Sequence, residues 1–531
     1  MNKKIDYDLE GLRKIQAGVN TLADVVRSTL GPGGTNVIIE KQSFSIVTKD
    51  GVTVAREVNL EDPVENIGAQ IVKEAATRTV QGAGDGTTTA TVLAQAIFNA
   101  GLKNIGAGAA RMDLKRGIDL AVKTVVTELR KMAKPVEDGD LLKVAIISAN
   151  GDEVIGGLIN EAITKVGREG IVSVEDTKNL DSYVAVVEGT QFHRGWLSGY
   201  FAADNMRQEW DFKNCEVLIY EGSITSYKEL VPLFEKFRKA NHTSPLLLVA
   251  SDVSGEALAA MAMNHAKGNM IACAVQSMDM NDKRNEHLKD LAALTGATII
   301  AKETGISLTT ATVSVLGTAD RIRVSQHTTT ILGGGGGDKI KARIATIEEE
   351  IKNAPNEQAV VALQHRKAQM SNGMGVIYVG GSSNVEIMEK KDRIDDSLNA
   401  TRAALDEGVV LGGGVAYVRA VEQIELDDQW PVVDNPDQTT GVKIIKSALM
   451  EPFRVIIENV GGSPDVVLAK VLNSEDAFGY DAKNLQYCDL IEAGIIDPAK
   501  VSRLALENAA SVAGMLLTTK AIISIIKPSA K

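Results

Sequence analysis

The sequence predicts a multidomain protein in which mainly helical outer regions flank an α/β middle. Three observations lead there. The chain has 531 residues, 44% of them hydrophobic, enough for several cores. Apolar residues recur at helical spacing near both ends. Between them, short apolar strand-like runs alternate with helical ones.

The elements follow in order. Residues 9 to 30 read as a helix, because Leu12, Ile15, Val19, Leu22, Val26 and Leu30 share one face. LGPGGTNVIIE breaks it and leads into a short strand. FSIVTKDGVTVARE reads as a strand pair turning at Asp50-Gly51. Helices follow over 64–80, 87–101 and 111–132, and Pro135 marks a junction near 133–140. SYVAVVEGTQFHRGWLSGYF alternates like strands, with glycines suited to a hinge. LLLVA, residues 246–250, is a buried strand running through a turn into a helix, and IACAV repeats the unit. Gly333 to Gly337 form a loop before a charged helical region over about 339–369. That loop is no P-loop, since no lysine and hydroxyl complete it. GVIYVGGSS precedes a long helix through SLNATRAALDEGVV. GVVLGGGVAYVRA, residues 408–420, places glycines before an apolar helix. Helical regions near 440–459, 464–473 and 499–515 precede a last strand and tail, TTKAIISIIKPSAK.

Composition excludes several function classes. The net charge of -12 argues against a broad basic surface for nucleic acid. No apolar run reaches membrane-spanning length, and MNKKIDYDLEGL lacks the apolar core of a secretory signal. A cytoplasmic protein is expected. Cys215, Cys273 and Cys488 match no metal or redox spacing, and the six histidines form no HExxH pair.

The most informative stretch is QGAGDGTTTATVLAQAIF, residues 81–98. Free backbone N–H groups at a helix start bind phosphate oxygens. Gly84 and Gly86 allow close backbone approach, and Thr87, Thr88 and Thr89 add hydroxyls. Asp85 would repel phosphate unless a hard cation such as Mg2+ stood between them. A capped helix start alone also fits these residues. TLGPGG (29–34), TKDG (48–51) and LGGGV (411–415) offer three more close-approach turns, each of which is also a common surface turn.

Together with DLKRGID, SLNATRAALDEGVV, GGGVAY and GIIDPAKV, the blocks TLGPGGTNV, TKDGVTVARE and GAGDGTTTATVLAQAI stand in the order of the group I chaperonins. The chain resembles that family from end to end. The resemblance implies the group I chaperonin fold: a mainly helical equatorial domain (1–132 and 407–531), a small α/β intermediate domain (133–188 and 374–406) and an α/β apical domain (189–373). It implies an ATPase whose hydrolysis drives protein folding. Asp85 would hold Mg2+. Thr29, Lys49 and Thr88 would surround K+. Leu30, Gly31, Pro32, Gly86, Thr87, Thr88 and Thr89 would lie at the phosphates. Gly413 and Asp497 would meet the ribose, and Asp481 the base. Asp50 and Asp396 would orient the attacking water, Asp396 only when its domain closes.

The same resemblance implies heptameric rings, single or double, a cochaperonin lid, and nonnative polypeptides held on apolar apical side chains. No nucleic acid or membrane partner is expected. Val231, Phe234, Leu258 and Met263 align with the client groove, while Ala262, Trp196, Tyr200 and Phe201 neighbour it. From the residues alone, the core faces of ordinary amphipathic helices are the favoured reading; the resemblance reverses it for Val231, Phe234, Leu258 and Met263. Several positions depart from the family. QSMDMNDKR (276–284) lacks the usual glycines and proline, His193 replaces an acid as a surface or hinge contact, and Ser463 stands where an acid would face Arg454 of another ring. With Pro436 in another acid position and Lys103 kept, ring-to-ring contact is expected to be weaker. The usual glycine-methionine tail is absent. A specialised paralogue or a virus-encoded copy, active in the host cytoplasm, fits these departures. Two other functions are weighed: a nonenzymatic ring-shaped holdase or scaffold, and a small-molecule kinase using GDGTTT.

Overall fold

The computed structural model describes residues 3–525, apart from 41–44, 138–140, 150, 169, 178, 203–207, 240–243, 278–281, 354–358, 360–362, 364–365, 368–369, 371–372 and 475–476. The chain divides into two compact units, residues 1–160 with 389–531, and residues 161–388.

The first unit is built from helices. Asp8–Arg27 buries Leu12, Ile15, Val19, Leu22 and Val26, the face that the spacing predicts. It packs against Pro63–Ala83 and Thr87–Gly106. Ala499–Thr518 supplies Leu506, Ala509, Ala513 and Leu517 to the same core, and Arg111–Met132 supplies Leu114, Ile118 and Val125. Burying each of the larger aliphatic side chains contributes about 1.5–3 kcal/mol. Pro63–Ala83 begins at a side-chain cap. Asp62 accepts hydrogen bonds from the N–H groups of Val64 and Glu65, and Pro63 fixes the first turn.

Two sequence expectations change here, and one strand appears that the sequence reading did not contain. TKDGVTVARE is not a strand pair. Ser45–Thr48 pairs with Val37–Glu40, but Gly51–Glu57 is a helix capped by Asp50. The β-branched alternation of VTV favours a strand, and the two cap bonds from the Asp50 carboxylate outweigh it. The N-terminal residues Lys3–Tyr7 also form a strand, paired antiparallel with Ala521–Ile525. The region 440–459 is two helices, Pro436–Ala448 and Glu451–Asn459, separated just before Pro452.

The second unit contains a six-stranded sheet. Its order is Gly189–Phe192, Thr329–Leu332, Gly317–Val324, Trp210–Ile224, Leu246–Val253 and Ala272–Gln276. The Leu246–Val253 strand is parallel to both neighbours, as the strand–helix–strand reading of LLLVA and IACAV requires. A three-stranded sheet joins Ile171–Asp176, Met374–Val379 and Tyr183–Val187. Buried Glu175 accepts a hydrogen bond from Arg323 at 2.9 Å and also pairs with Arg321. Arg321 in turn holds Asp211 at 2.8 Å, so one charge network ties the two sheets together. The glycine run closes on the end of Asp282–Thr295. The Gly336 N–H donates to the Leu294 carbonyl at 3.0 Å, and a Cβ at Gly336 would stand 1.8 Å from the Ala293 oxygen. Residues 278–281 of the divergent QSMDMNDKR stretch lie outside the described residues.

Candidate functional site

The three glycine turns of the N-terminal region converge on one residue. A Cβ at Gly51 would stand 2.3 Å from the Thr88 hydroxyl and 3.5 Å from the Thr29 hydroxyl. TLGPGG, TKDG and GDGTTT therefore meet there, and only glycine fits. Thr29 is buried and donates to the Val26 carbonyl at 2.8 Å. Its own carbonyl crowds Gly34, over which the Lys49 stem also lies. Gly31 packs on Ile456, while Pro32 is exposed. Asn459, which the sequence reading missed, pins this loop. Its amide donates to the carbonyls of Arg27 at 3.0 Å and Leu30 at 2.9 Å. A lone asparagine in ENVGGS carries no pattern that announces this.

Asp50 is oriented by its capping role. Oδ1 accepts from the Val52 N–H at 3.0 Å, and Oδ2 from the Thr53 N–H at 2.8 Å and hydroxyl at 2.6 Å. Asp85 accepts from the Gly86 N–H at 2.5 Å. Gly86 then begins the Thr87–Gly106 helix in a left-handed conformation and offers no side-chain cap. The first turn is left with unsatisfied N–H groups. The Thr87 hydroxyl is buried with no hydrogen-bond partner among the described residues. Thr88 and Thr89 are half-buried beside it.

A second group of residues arrives from the C-terminal half. Val409–Leu411 pairs with Ile496–Pro498, so Asp497 stands opposite Val410. The Gly413 backbone N–H lies near enough to Asp497 to favour its charged form. Gly413 has a φ of +66, and a Cβ there would meet nothing within 4 Å. Its backbone faces open space. Asp396 lies on the Asn384–Glu407 helix, which packs on the GDGTTT turn through Asn399: a Cβ at Gly84 would stand 2.0 Å from the Asn399 Cβ. Gly84 has a φ of +78, so it must be glycine on two counts.

The electrostatics couple these acids. Asp85 and Asp396 are reached by solvent yet surrounded by protein mass. Burial, then the Asp85 and Asp50 carboxylates, push Asp396 up to about 9. Burial and Asp85 push Asp497 up to about 7. Asp85 is itself raised, by burial and by Asp50, with the Gly86 N–H opposing. Asp396 is thus already within the field of Asp85 and Asp50 in this conformation. Such a cluster calls for a cation. Among the described residues, no three potential ligands gather into a complete metal site. A Mg2+ ion held by one carboxylate and completed by phosphate oxygens and water fits that arrangement.

Asp481 has a different surrounding. Its carboxylate accepts from the N–H groups of Lys483 and Asn484 and, at 2.7 Å, from the Asn484 amide. These bonds close its own turn between Phe478–Asp481 and Gln486–Asp489. A separate cavity of about 390 Å3, lined by Arg56, Lys73 and Glu74 among others, shares Val52 and Thr87 with the residues above.

The residues expected on the client surface divide. Tyr200 and Met263 are exposed, at 76% and 58%. Val231, Leu258 and Trp196 are half-buried. Phe201, Phe234 and Ala262 are buried in the core of the second unit, which corrects the expectation for those three. Phe201 packs edge-on against His265, and Phe234 lies beside Tyr227. His193 is exposed.

The description "TCP-1/cpn60 chaperonin family" belongs to a family model that matches residues 22–527. The chain belongs to the TCP-1/cpn60 chaperonin family. This chaperonin is also similar in fold to chaperonin gp146 from bacteriophage EL (Pseudomonas aeruginosa), crystallised in the presence of ATP-BeFx. One crystal form gives a TM-score of 0.69 and another 0.62, each at 21% identity over 98% of this chain and 99% of that one. The family fixes the activity: an ATP-dependent chaperonin that hydrolyses ATP in the service of protein folding.

Proposed function

We propose that ATP binds in the first unit with its phosphates at the start of the Thr87–Gly106 helix and its ribose at Gly413 and Asp497. The observation that carries this reading is the uncapped, left-handed start of the Thr87–Gly106 helix at Gly86, with a buried Thr87 hydroxyl that has no partner among the described residues, beside an Asp85 whose charge reaches Asp396 and Asp497. Asp85 would hold Mg2+, which supplies charge neutralisation to the phosphates. The backbone oxygens of Thr29 and Lys49, with Thr88, would hold K+. Leu30, Gly31 and Pro32 form the facing wall, while Gly86 and the threonine side chains contribute donors. Asp481 keeps its carboxylate for its own turn, so its backbone is what a base would meet.

Hydrolysis needs a water in line with the γ-phosphate and donors for the charge that develops. Asp50, held by its cap bonds, orients that water from one side. Asp396 orients it from the other side; burial and the neighbouring acids raise its pKa to about 9, so it would be ionised near neutral pH only with a cation bound among those acids. The Asn384–Glu407 helix connects this site to the rest of the chain, supporting a division into equatorial, intermediate and apical domains through which hydrolysis drives client release.

Nonnative polypeptides bind the second unit at Met263 and Tyr200, with Val231, Leu258 and Trp196 at the margin. Adaptable Met263 and the ring of Tyr200 are suited to varied apolar segments. Copies assemble into a ring of seven. The support is two short sheets with open edges in the first unit, bearing exposed Ile38 and Val47, and Ile5, Ile523 and Ile525. Between rings, Arg454 pairs with Asp465 of its own chain at 2.6 Å, which leaves less charge for a second ring. A cochaperonin lid and a cytoplasmic setting complete the proposal. No helix among the described residues is long and apolar enough to cross a membrane.

The deciding experiment measures phosphate release, particle mass and refolding of an aggregation-prone client together, with and without a lid protein. Turnover by ring-sized particles with client recovery is expected. Aggregation suppressed without any ATP turnover would instead mark a holdase.

A further inference from the structure

We propose that Asn399 is a further polar residue of the ATP site, presented to the phosphate or the attacking water from the helix face that carries Asp396. The proposal rests on the reading of Asp396 given above. Residues three apart on a helix share a face, so Asn399 lies one turn beyond Asp396 on the same side. Its place is fixed by contact with Gly84, where a Cβ would stand 2.0 Å from the Asn399 Cβ and 2.7 Å from its carboxamide carbon. Gly84 immediately precedes Asp85, so the amide stands at the edge of the carboxylate cluster.

The polar neighbours of Asn399 on the helix are already engaged. The Ser397 hydroxyl donates to the Ala145 carbonyl at 2.7 Å, and Thr401 to the Ser397 carbonyl at 2.7 Å. Arg402 has partners of its own. The half-buried Asn399 side chain makes no hydrogen bond to any described residue. A polar group placed there without a partner is available to a ligand. It is also neutral. Among four acids, an amide can donate to a phosphate oxygen and accept from water without adding repulsion. A residue there for packing alone needs only its volume against Gly84. A residue of the site needs its amide.

The test uses the full chain and three variants near the same volume: Asn399→Leu, Asn399→Asp and Asn399→Gln, with Asp396→Ala alongside. Steady-state ATP turnover gives kcat and KM. Asn399→Leu and Asn399→Asp are each expected to lower kcat at least about ten-fold, with KM within about three-fold, the split expected when an interaction made in the transition state is lost. Asn399→Gln should recover part of the loss. If Asn399→Leu is unstable by thermal melting, the nearly isosteric Asn399→Asp decides alone. Wild-type kcat in folded Asn399→Leu and Asn399→Asp would overturn the proposal while leaving Asp396 in its role, provided Asp396→Ala is inactive. Loss in the Asn399 variants with full activity in Asp396→Ala would support Asn399 and overturn the reading of Asp396.

Discussion

The proposed ATP site of the first unit and the proposed client surface of the second are built from opposite kinds of information. The first uses acids, glycines and hydroxyls, each with a narrow physical reason to stand where it does. Gly51 is bare where the Thr88 hydroxyl crowds it, and Asp85, raised by burial, would be answered by a cation in the proposed site. The second uses apolar side chains whose identity does not say whether they face a core or a client. Phe201 and Tyr200 are neighbours in WLSGYF, yet one is fully buried and the other is 76% exposed. Specific chemistry leaves a mark on sequence, and nonselective apolar binding leaves little.

The largest effect that would break this contrast lies in the first unit. Asp85→Ala should abolish Mg2+-dependent ATP turnover while leaving the circular-dichroism spectrum and the melting transition in place. Turnover that survives would remove the metal-bound phosphate from the account. Next comes the core of the second unit. Phe201→Ala should destabilise that unit by about 3–5 kcal/mol, as large-to-small core changes do. Tyr200→Ser and Met263→Ser should each change stability by no more than about 0.5 kcal/mol. Their effect should appear in client capture instead, as a several-fold loss in light-scattering assays of aggregation. Equal stability losses at 200 and 201 would erase the distinction between surface and core.

The smallest effect is electrostatic. Asp396 has a folded pKa near 9 against an ordinary 3.8, so the folded state holds its proton more tightly than the unfolded chain. Stability is therefore lost as pH rises from about 4 towards about 9. Asp396→Asn removes that loss. Without nucleotide or Mg2+, its melting temperature should exceed that of the natural protein by a margin that widens across this range. A constant or shrinking margin would mean that Asp396 is not crowded by the other acids.

Much of the fold was legible because helical spacing reports burial directly. The Leu12-to-Val26 face and the bounds of Arg111–Met132 follow from the apolar period alone. What escaped was decided by partners far along the chain or by a single cap. Lys3–Tyr7 is a strand only because Ala521–Ile525 pairs with it. Gly51–Glu57 is a helix because the Asp50 carboxylate, not the apolar pattern, sets its start. In the site, the acids and glycines stood out by residue type, whereas Asn399 and Asn459 look like any helical asparagine. Asp481 was read as a ligand contact, but a nearby asparagine and two N–H groups occupy its carboxylate.

The central claim is that one helix carries its carboxylate to a phosphate site built from the other end of the chain, and that this contact performs hydrolysis. The most direct measurement is single-turnover phosphate release by Asp396→Ala, with ATP binding followed in the same samples. Binding within a few-fold of the natural protein, and release slowed by about 10²–10⁴-fold, is the predicted result. Release at the natural rate, with binding intact, would contradict it.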